Sequence, residues 1–116
     1  MPPTLQDYFG AGSYPLTDPA GKACVLIFLE DFASEGLAIP TTVTDLKASA
    51  LASALLIKWL SKSIGNEDDP TYGVIVGSPR SGLVERSEVS QRSATFDVTV
   101  HTPDNSPAIP DPDLVV

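Results

Sequence analysis

The chain is poor in the residues that perform chemistry. Its 116 residues include one cysteine, one histidine, one methionine and one tryptophan, and seven lysines and arginines stand against fifteen aspartates and glutamates. Each scarcity excludes something. The single cysteine, Cys24, leaves no disulfide within the chain and fits assembly in a reducing compartment. It sits in the apolar run Ala23-Cys24-Val25-Leu26-Ile27-Phe28, which predicts a buried thiol rather than a reactive one. The single histidine, His101, has no second histidine and no neighbouring cysteine with which to build a zinc site. A net charge of -8 repels a phosphate backbone, so nucleic acid is not an expected partner. No apolar run approaches the ~20 residues that span a bilayer. No basic stretch followed by an apolar one opens the chain, so we expect a soluble protein made in the cytoplasm, with neither leader nor membrane anchor.

Catalytic and ligand-binding motifs are missing as well. No serine stands in a Gly-x-Ser-x-Gly elbow, and Gly73, Gly77 and Gly82 are not followed by the Gly-Lys-Ser or Gly-Lys-Thr of a phosphate-cradling loop. Glu67, Asp68 and Asp69 lack the alternating ligand positions, sharp glycine turn and distal glutamate of a calcium loop, and read as a solvated turn. A site shared between subunits around His101, Asp97 and Arg92 is the one enzymatic arrangement the composition allows, and no motif supports it. We assign no catalytic residue, cofactor or metal ligand.

What the chain does have is proline at both ends. Pro2, Pro3, Pro15 and Pro19 punctuate residues 1–20, and Pro103, Pro107, Pro110 and Pro112 punctuate residues 103–116. Proline fixes φ and removes an amide donor, so these stretches favour extended backbone that gains order by lying on another surface. The expected organisation is an extended N-terminal arm over 1–20, one α+β domain over 21–102, and an extended acidic arm over 103–116. Charge is distributed unevenly. The arm carries Asp104, Asp111 and Asp113 with no base, whereas Arg80, Arg86 and Arg92 fall within thirteen residues beside Glu85, Glu88 and Asp97. The arginines are placed to make cross-strand pairs or to reach carboxylates on another chain in bidentate fashion. The acidic arm of an adjacent copy is one such target.

Within the middle region, Ala23–Leu29 follows the turn signal Asp18-Pro19-Ala20-Gly21 and predicts a buried strand. Leu29–Glu35 predicts a short helix stopped by Gly36. A long helix is predicted over about 44–64, with Thr41 and Thr42 as caps and Gly65-Asn66 as its close. At about 100° per residue, Leu46, Ala50, Leu56, Ile57, Leu60 and Ile64 form one apolar arc. Ala48, Leu51, Ala52, Leu55 and Trp59 form a second, nearly opposite. Two apolar arcs exceed what one small sheet covers, so Leu51, Leu55 and Trp59 are expected at a subunit interface. Tyr72–Gly77 predicts a short strand, Ser90-Gln91 a turn, and the alternation of Ala94, Phe96, Val98 and Val100 a half-buried strand ending at His101. The fold expected is one long central helix packed on a small antiparallel hairpin or meander, with both arms extended.

The opening Thr4-Leu5-Gln6-Asp7-Tyr8-Phe9-Gly10, the segment Val25–Phe32 leading to Gly36-Leu37, the helix end Leu55-Leu56-Ile57-Lys58-Trp59-Leu60 and the closing Phe96-Asp97-Val98-Thr99-Val100-His101-Thr102-Pro103-Asp104 together resemble the small structural proteins of tailed-bacteriophage virions. The resemblance lies in organisation across most of the chain. It implies a non-enzymatic subunit, present in many copies in a tail, baseplate, neck or capsid surface, with other copies of itself and other virion proteins as partners. The interface residues expected are Leu51, Leu55 and Trp59 on the helix, Arg80, Arg86 and Arg92, and Asp104, Asp111, Asp113, Leu114 and Val115 in the arm. The competing reading is a small adaptor of a bacterial complex that offers its acidic arm to a basic groove.

Overall fold

Thr4 starts the first helix by exchanging hydrogen bonds with the residue three places on. The Asp7 amide donates to Thr4 Oγ1 at 3.2 Å and the Thr4 amide donates to Asp7 Oδ2 at 2.8 Å, a capping box that opens helix α1, Leu5–Phe9. This computed structural model describes residues 2–116; Met1, the first residue of the expected N-terminal arm, lies outside the described residues. The protein is α+β, with small antiparallel two-stranded sheets and helices. Contacts divide it into a first unit ending at Lys62 and a second running from Ser63 to Val116, and each is described by itself.

In the first unit, Gly10 ends α1 at φ +107, a backbone region that L side chains avoid, and a Cβ there would lie 2.7 Å from Asp31 Cβ. The chain turns and forms strand β1, Tyr14–Thr17, paired antiparallel with β2, Ala23–Leu26, so that Leu16 stands opposite Cys24. Two expectations are corrected here. The N-terminal segment is a capped helix and a strand rather than an extended arm. The predicted strand at 23–29 ends at Leu26 and leaves Cys24 exposed, because a two-stranded ribbon covers neither of its own faces.

A 3₁₀-helical segment, Leu29–Glu35, follows and ends at Gly36 in the left-handed region, φ +94, as its glycine predicts. It carries Phe32, which is 0 % exposed and forms the core with Leu37 and Ala54; Ile27, Leu29, Ala50, Leu51 and Leu55 pack against that core. The long helix starts later than expected. Val43–Asp45 is a separate 3₁₀ turn, and α2 spans Ala48–Ser63, closed by Gly65 at φ +83.

On the face of α2 expected at a subunit boundary, Leu51, Leu55 and Trp59 are half-buried against partners within the first unit, while Ala48 and Ala52 are exposed. Leu51 and Leu55 join the Phe32 cluster. Trp59 meets the rings of Tyr8 and Phe9 edge-on at 6.0 and 6.1 Å, and its indole N–H donates to the Tyr8 carbonyl at 2.8 Å. The aromatic pair of α1, two residues of the supposed loose arm, supplies the cover that the helix lacks in sequence. Lys58 lies on the same side, 3.6 Å from Glu35 with both side chains nearly buried, and its ammonium sits 5.6 Å from the centre of the Phe32 ring.

In the second unit, strand β3, Val74–Val76, pairs antiparallel with β6, Val98–Val100, and the Val76 amide donates to the buried Ser63 Oγ at 2.9 Å. The expected strand 94–101 is split. Its first residues belong to β5, Val89–Thr95, which pairs with β4, Arg80–Arg86. Its last residues pair with β3, and the chain crosses between the two ladders at Phe96-Asp97. The expected single sheet is thus two separate ladders in this unit. The expected turn at Ser90-Gln91 is instead at Ser87 and Glu88, with φ +52 and +66, the two-residue geometry whose twist matches paired strands.

Candidate assembly surface

The β4–β5 hairpin is a seven-by-seven ladder in continuous register, from Arg80 opposite Thr95 to Arg86 opposite Val89. Every residue of β4 is exposed, and in β5 only Ser93 is partly covered. The extensive contacts of each strand are with the other. Leu83 is 70 % exposed, Val89 56 % and Val84 41 %. Its two outer edges carry neither proline nor lysine and contain no bulge, the usual devices that blunt an edge.

Alternation along the strands sorts the side chains into two unlike faces. Cross-strand partners share a face, so one face holds Gly82, Val84 and Arg86 with Ser93, Gln91 and Val89. The other holds Ser81, Leu83 and Glu85 with Ala94, Arg92 and Ser90. The three arginines grouped by sequence are therefore divided, with Arg80 and Arg86 on the valine side of the ladder and Arg92 on the other. Arg86 lies on the valine face, which carries no carboxylate in its strands. Arg92 lies on the leucine face, which also carries Glu85. Arg80, at the base, makes the pair expected of it with Asp97, reaching both carboxylate oxygens at 3.2 and 3.4 Å. Among the described residues neither Arg86 nor Arg92 has an ionic partner.

The acidic C-terminal segment departs from a free extended arm. It turns at Pro103–Ser106, where the Ser106 amide donates to the Pro103 carbonyl at 3.0 Å, and forms a 3₁₀ turn over Pro112–Leu114. Its end is seated on its own unit. The Val116 amide donates to the His101 carbonyl at 3.1 Å, His101 in turn donates its amide to Gly73 at 2.8 Å, and a Cβ on Gly73 would overlap the Val116 carbonyl. Val115 is thereby half-buried, while Leu114, Asp104, Asp111 and Asp113 are exposed. Between its two attachments the segment presents Ile109 at 84 % exposure, the most exposed large apolar side chain described.

Within the single chain, Asp97, Arg92 and His101 have these surroundings. Asp97 is engaged by Arg80, Arg92 stands on the hairpin, and His101 instead lines an open cleft of about 300 Å³ with Glu67, Asp68, Asp69, Tyr72 and Thr102. Among the described residues no group of three or more His, Cys, Asp or Glu side chains is placed to hold a metal. Asp69 is occupied locally: its Oδ1 accepts from the Thr71 hydroxyl at 2.6 Å and the Thr71 amide at 2.9 Å, and these bonds hold its carboxyl below the usual aspartate range. No described helix is long and apolar enough to cross a membrane.

The hairpin as a surface was only partly visible in the sequence. The arginine cluster falls on this hairpin, but the turn had no Asn-Gly or Asp-Gly signal, so the register, and with it the sorting of Arg86 from Arg92, was hidden. The α1 cap carried a readable signal in Thr4-x-x-Asp7 ahead of Tyr8-Phe9. Comparison with protein-family models, with curated proteins and with solved structures returns no match.

Proposed function

We propose that the chain is a non-enzymatic structural subunit that assembles in many copies, in the setting of a tailed-phage particle that its organisation resembles, and that the β4–β5 hairpin is its principal assembly element. The observation that carries this reading is a fourteen-residue ladder exposed on both faces, with apolar side chains and two unpaired arginines standing in water. A two-stranded ribbon is marginal by itself in water, so a partner on a face or an edge is what such an element needs.

The test is to shorten the hairpin without disturbing its base. Gly82 stands opposite Ser93, so replacing residues 83–92 by Asn-Gly leaves a two-residue turn on the surviving register. Light scattering and sedimentation of the purified intact chain should reveal a multi-copy species that the shortened chain fails to form, with Trp59 emission equal in both. An intact chain that stays monomeric at its highest soluble concentration sinks the proposal.

A second reading, the adaptor that offers an acidic segment to a basic groove, is favoured by the exposure of Asp104, Asp111 and Asp113. It predicts binding that weakens steeply with salt and a complex of fixed, small copy number.

A further inference from the structure

We infer that the valine face of the hairpin receives the segment Ile109-Pro110-Asp111 of a second copy of the chain, Ile109 lying on Val84 and Val89 and the Asp111 carboxylate reaching Arg86. The inference rests on the assembly reading above and names its occupant.

Charge selects the partner. Residues 80–95 hold three arginines and two glutamates, a local +1, which leaves -9 for the remainder of a chain whose net charge is -8. A second copy is therefore repelled over most of its surface and attracted at the hairpin, provided that it brings an acidic segment there. Valine face against valine face would oppose Arg86 to Arg86, so this face meets an unlike surface. Charge also selects the face. The valine face has Arg86 and no strand carboxylate, whereas on the leucine face Glu85 offsets Arg92.

Backbone chemistry selects the segment. Ile109 precedes Pro110 and Asp111 precedes Pro112, so both residues are driven to extended backbone before any partner arrives; Asp111 has φ -83 and ψ 121. Ile109 and Asp111 stand two residues apart in sequence, as Val84 and Arg86 do on one face; the chain bends at Ile109, so the match is one of sequence spacing. Ile109 and Asp111 are exposed; Asp111 Oδ1 accepts the Asp113 amide at 3.0 Å as the cap of the 3₁₀ turn, and no bond joins its carboxylate to Arg86 in the single chain. The segment is tied to its own unit by its start near Pro103 and by Val116 at His101, so it offers its middle to a neighbour rather than to its own hairpin. A contact of unlike surfaces repeats head to tail, and closes into a ring or continues as a filament according to its rotation.

Charge exchange tests this on the full-length chain. Arg86→Glu alone faces Asp111, and Asp111→Arg alone faces Arg86, so each variant should associate about tenfold or more weakly than the unaltered chain, as like-charge contacts do. Mixing the two variants in equal amounts should restore association, since each junction then joins opposite charges. Arg92→Glu should leave association unchanged, and Ile109→Ser should weaken it. The inference is overturned if both single variants assemble like the unaltered chain, or if both are impaired and mixing restores nothing. In either case, loss of assembly in the shortened-hairpin chain would keep the hairpin as an assembly element with another occupant. Normal assembly of the shortened chain would overturn both readings.

Discussion

The two units of this protein draw on similar sequence resources and use them differently. Six of the eight aromatic residues, Tyr8, Phe9, Tyr14, Phe28, Phe32 and Trp59, lie in the first unit, and two, Tyr72 and Phe96, lie in the second. An aromatic side chain buries ~150–250 Å², more than any aliphatic one, so a small body holding six has the means to cover a helix and one holding two does not. The first unit accordingly encloses Phe32 completely and packs Trp59 on α1. In the second, Ile75 and Val76 are the buried apolar side chains described, while Leu83, Val84 and Val89 project from the hairpin. Apolar burial is concentrated in the first unit, and the exposed apolar strand residues of the hairpin lie in the second.

The sharpest way to break that contrast is to truncate one apolar residue in each unit. Phe32→Ala removes the one large apolar side chain that is 0 % exposed, together with the ring under the Lys58 ammonium, and should lower unfolding free energy by about 3–5 kcal/mol. Denaturant unfolding followed by Trp59 emission measures it. Leu83→Ala, at 70 % exposure, should move the same midpoint negligibly, because there is little burial to lose. If Leu83→Ala proves as costly as Phe32→Ala in a dilute monomer, the hairpin is packed in solution and the contrast fails.

The turn of the hairpin offers a change in the other direction. Ser87 and Glu88 both adopt positive φ, which a non-glycine residue does at a cost of about 1–2 kcal/mol. Replacing them with Asn-Gly suits that geometry and should stabilise the hairpin by roughly 1 kcal/mol. Amide exchange across β4 and β5 should slow accordingly, with the first unit unaffected. Faster exchange in the variant would show that the turn does not have the geometry described.

How much of this was legible follows from the kind of signal each element carries. Gly36 and Gly65 mark their stops correctly because a left-handed residue at a helix end is a local requirement that glycine meets alone. The α2 helix was legible in type and in its stop but not in its start or its partnership. On its second apolar arc Trp59 packs on Tyr8 and Phe9, some fifty residues earlier in the chain, and Leu51 and Leu55 on the Phe32 cluster, and no periodicity within a helix reports what packs on it. Strand pairing was least legible. The alternation from Ala94 to Val100 is real, yet the run serves two ladders, because pairing is settled by register between distant segments rather than by pattern within one. Of the expected interface residues, Arg86, Arg92, Asp104, Asp111, Asp113 and Leu114 remain exposed, whereas the three on the helix are packed within their own unit.

The smallest effect expected is one of pH, and it sharpens the contrast by asking how firmly α1 is held. The Asp7 carboxyl lies below the ordinary aspartate value, first because the Thr4 amide donates to it, and then through the Thr4 hydroxyl and Lys62, 3.7 Å away. A depressed carboxylate adds stability at pH values above its unfolded value, and that stability is lost as pH falls through the folded one. The α1 cap should therefore hold at neutral pH and weaken only in acid, below the normal aspartate range. The contribution is that of an exposed first-turn carboxylate, about 0.3–1 kcal/mol, and it falls with salt. Trp59 is the sole tryptophan and donates its indole N–H to Tyr8 of α1, so its emission reports the docking of that helix. Asp7→Asn should flatten the acid limb of the Trp59 titration while leaving the neutral spectrum close to that of the unaltered chain. An acid limb that persists unchanged in Asp7→Asn would assign the transition to carboxylates outside the α1 cap.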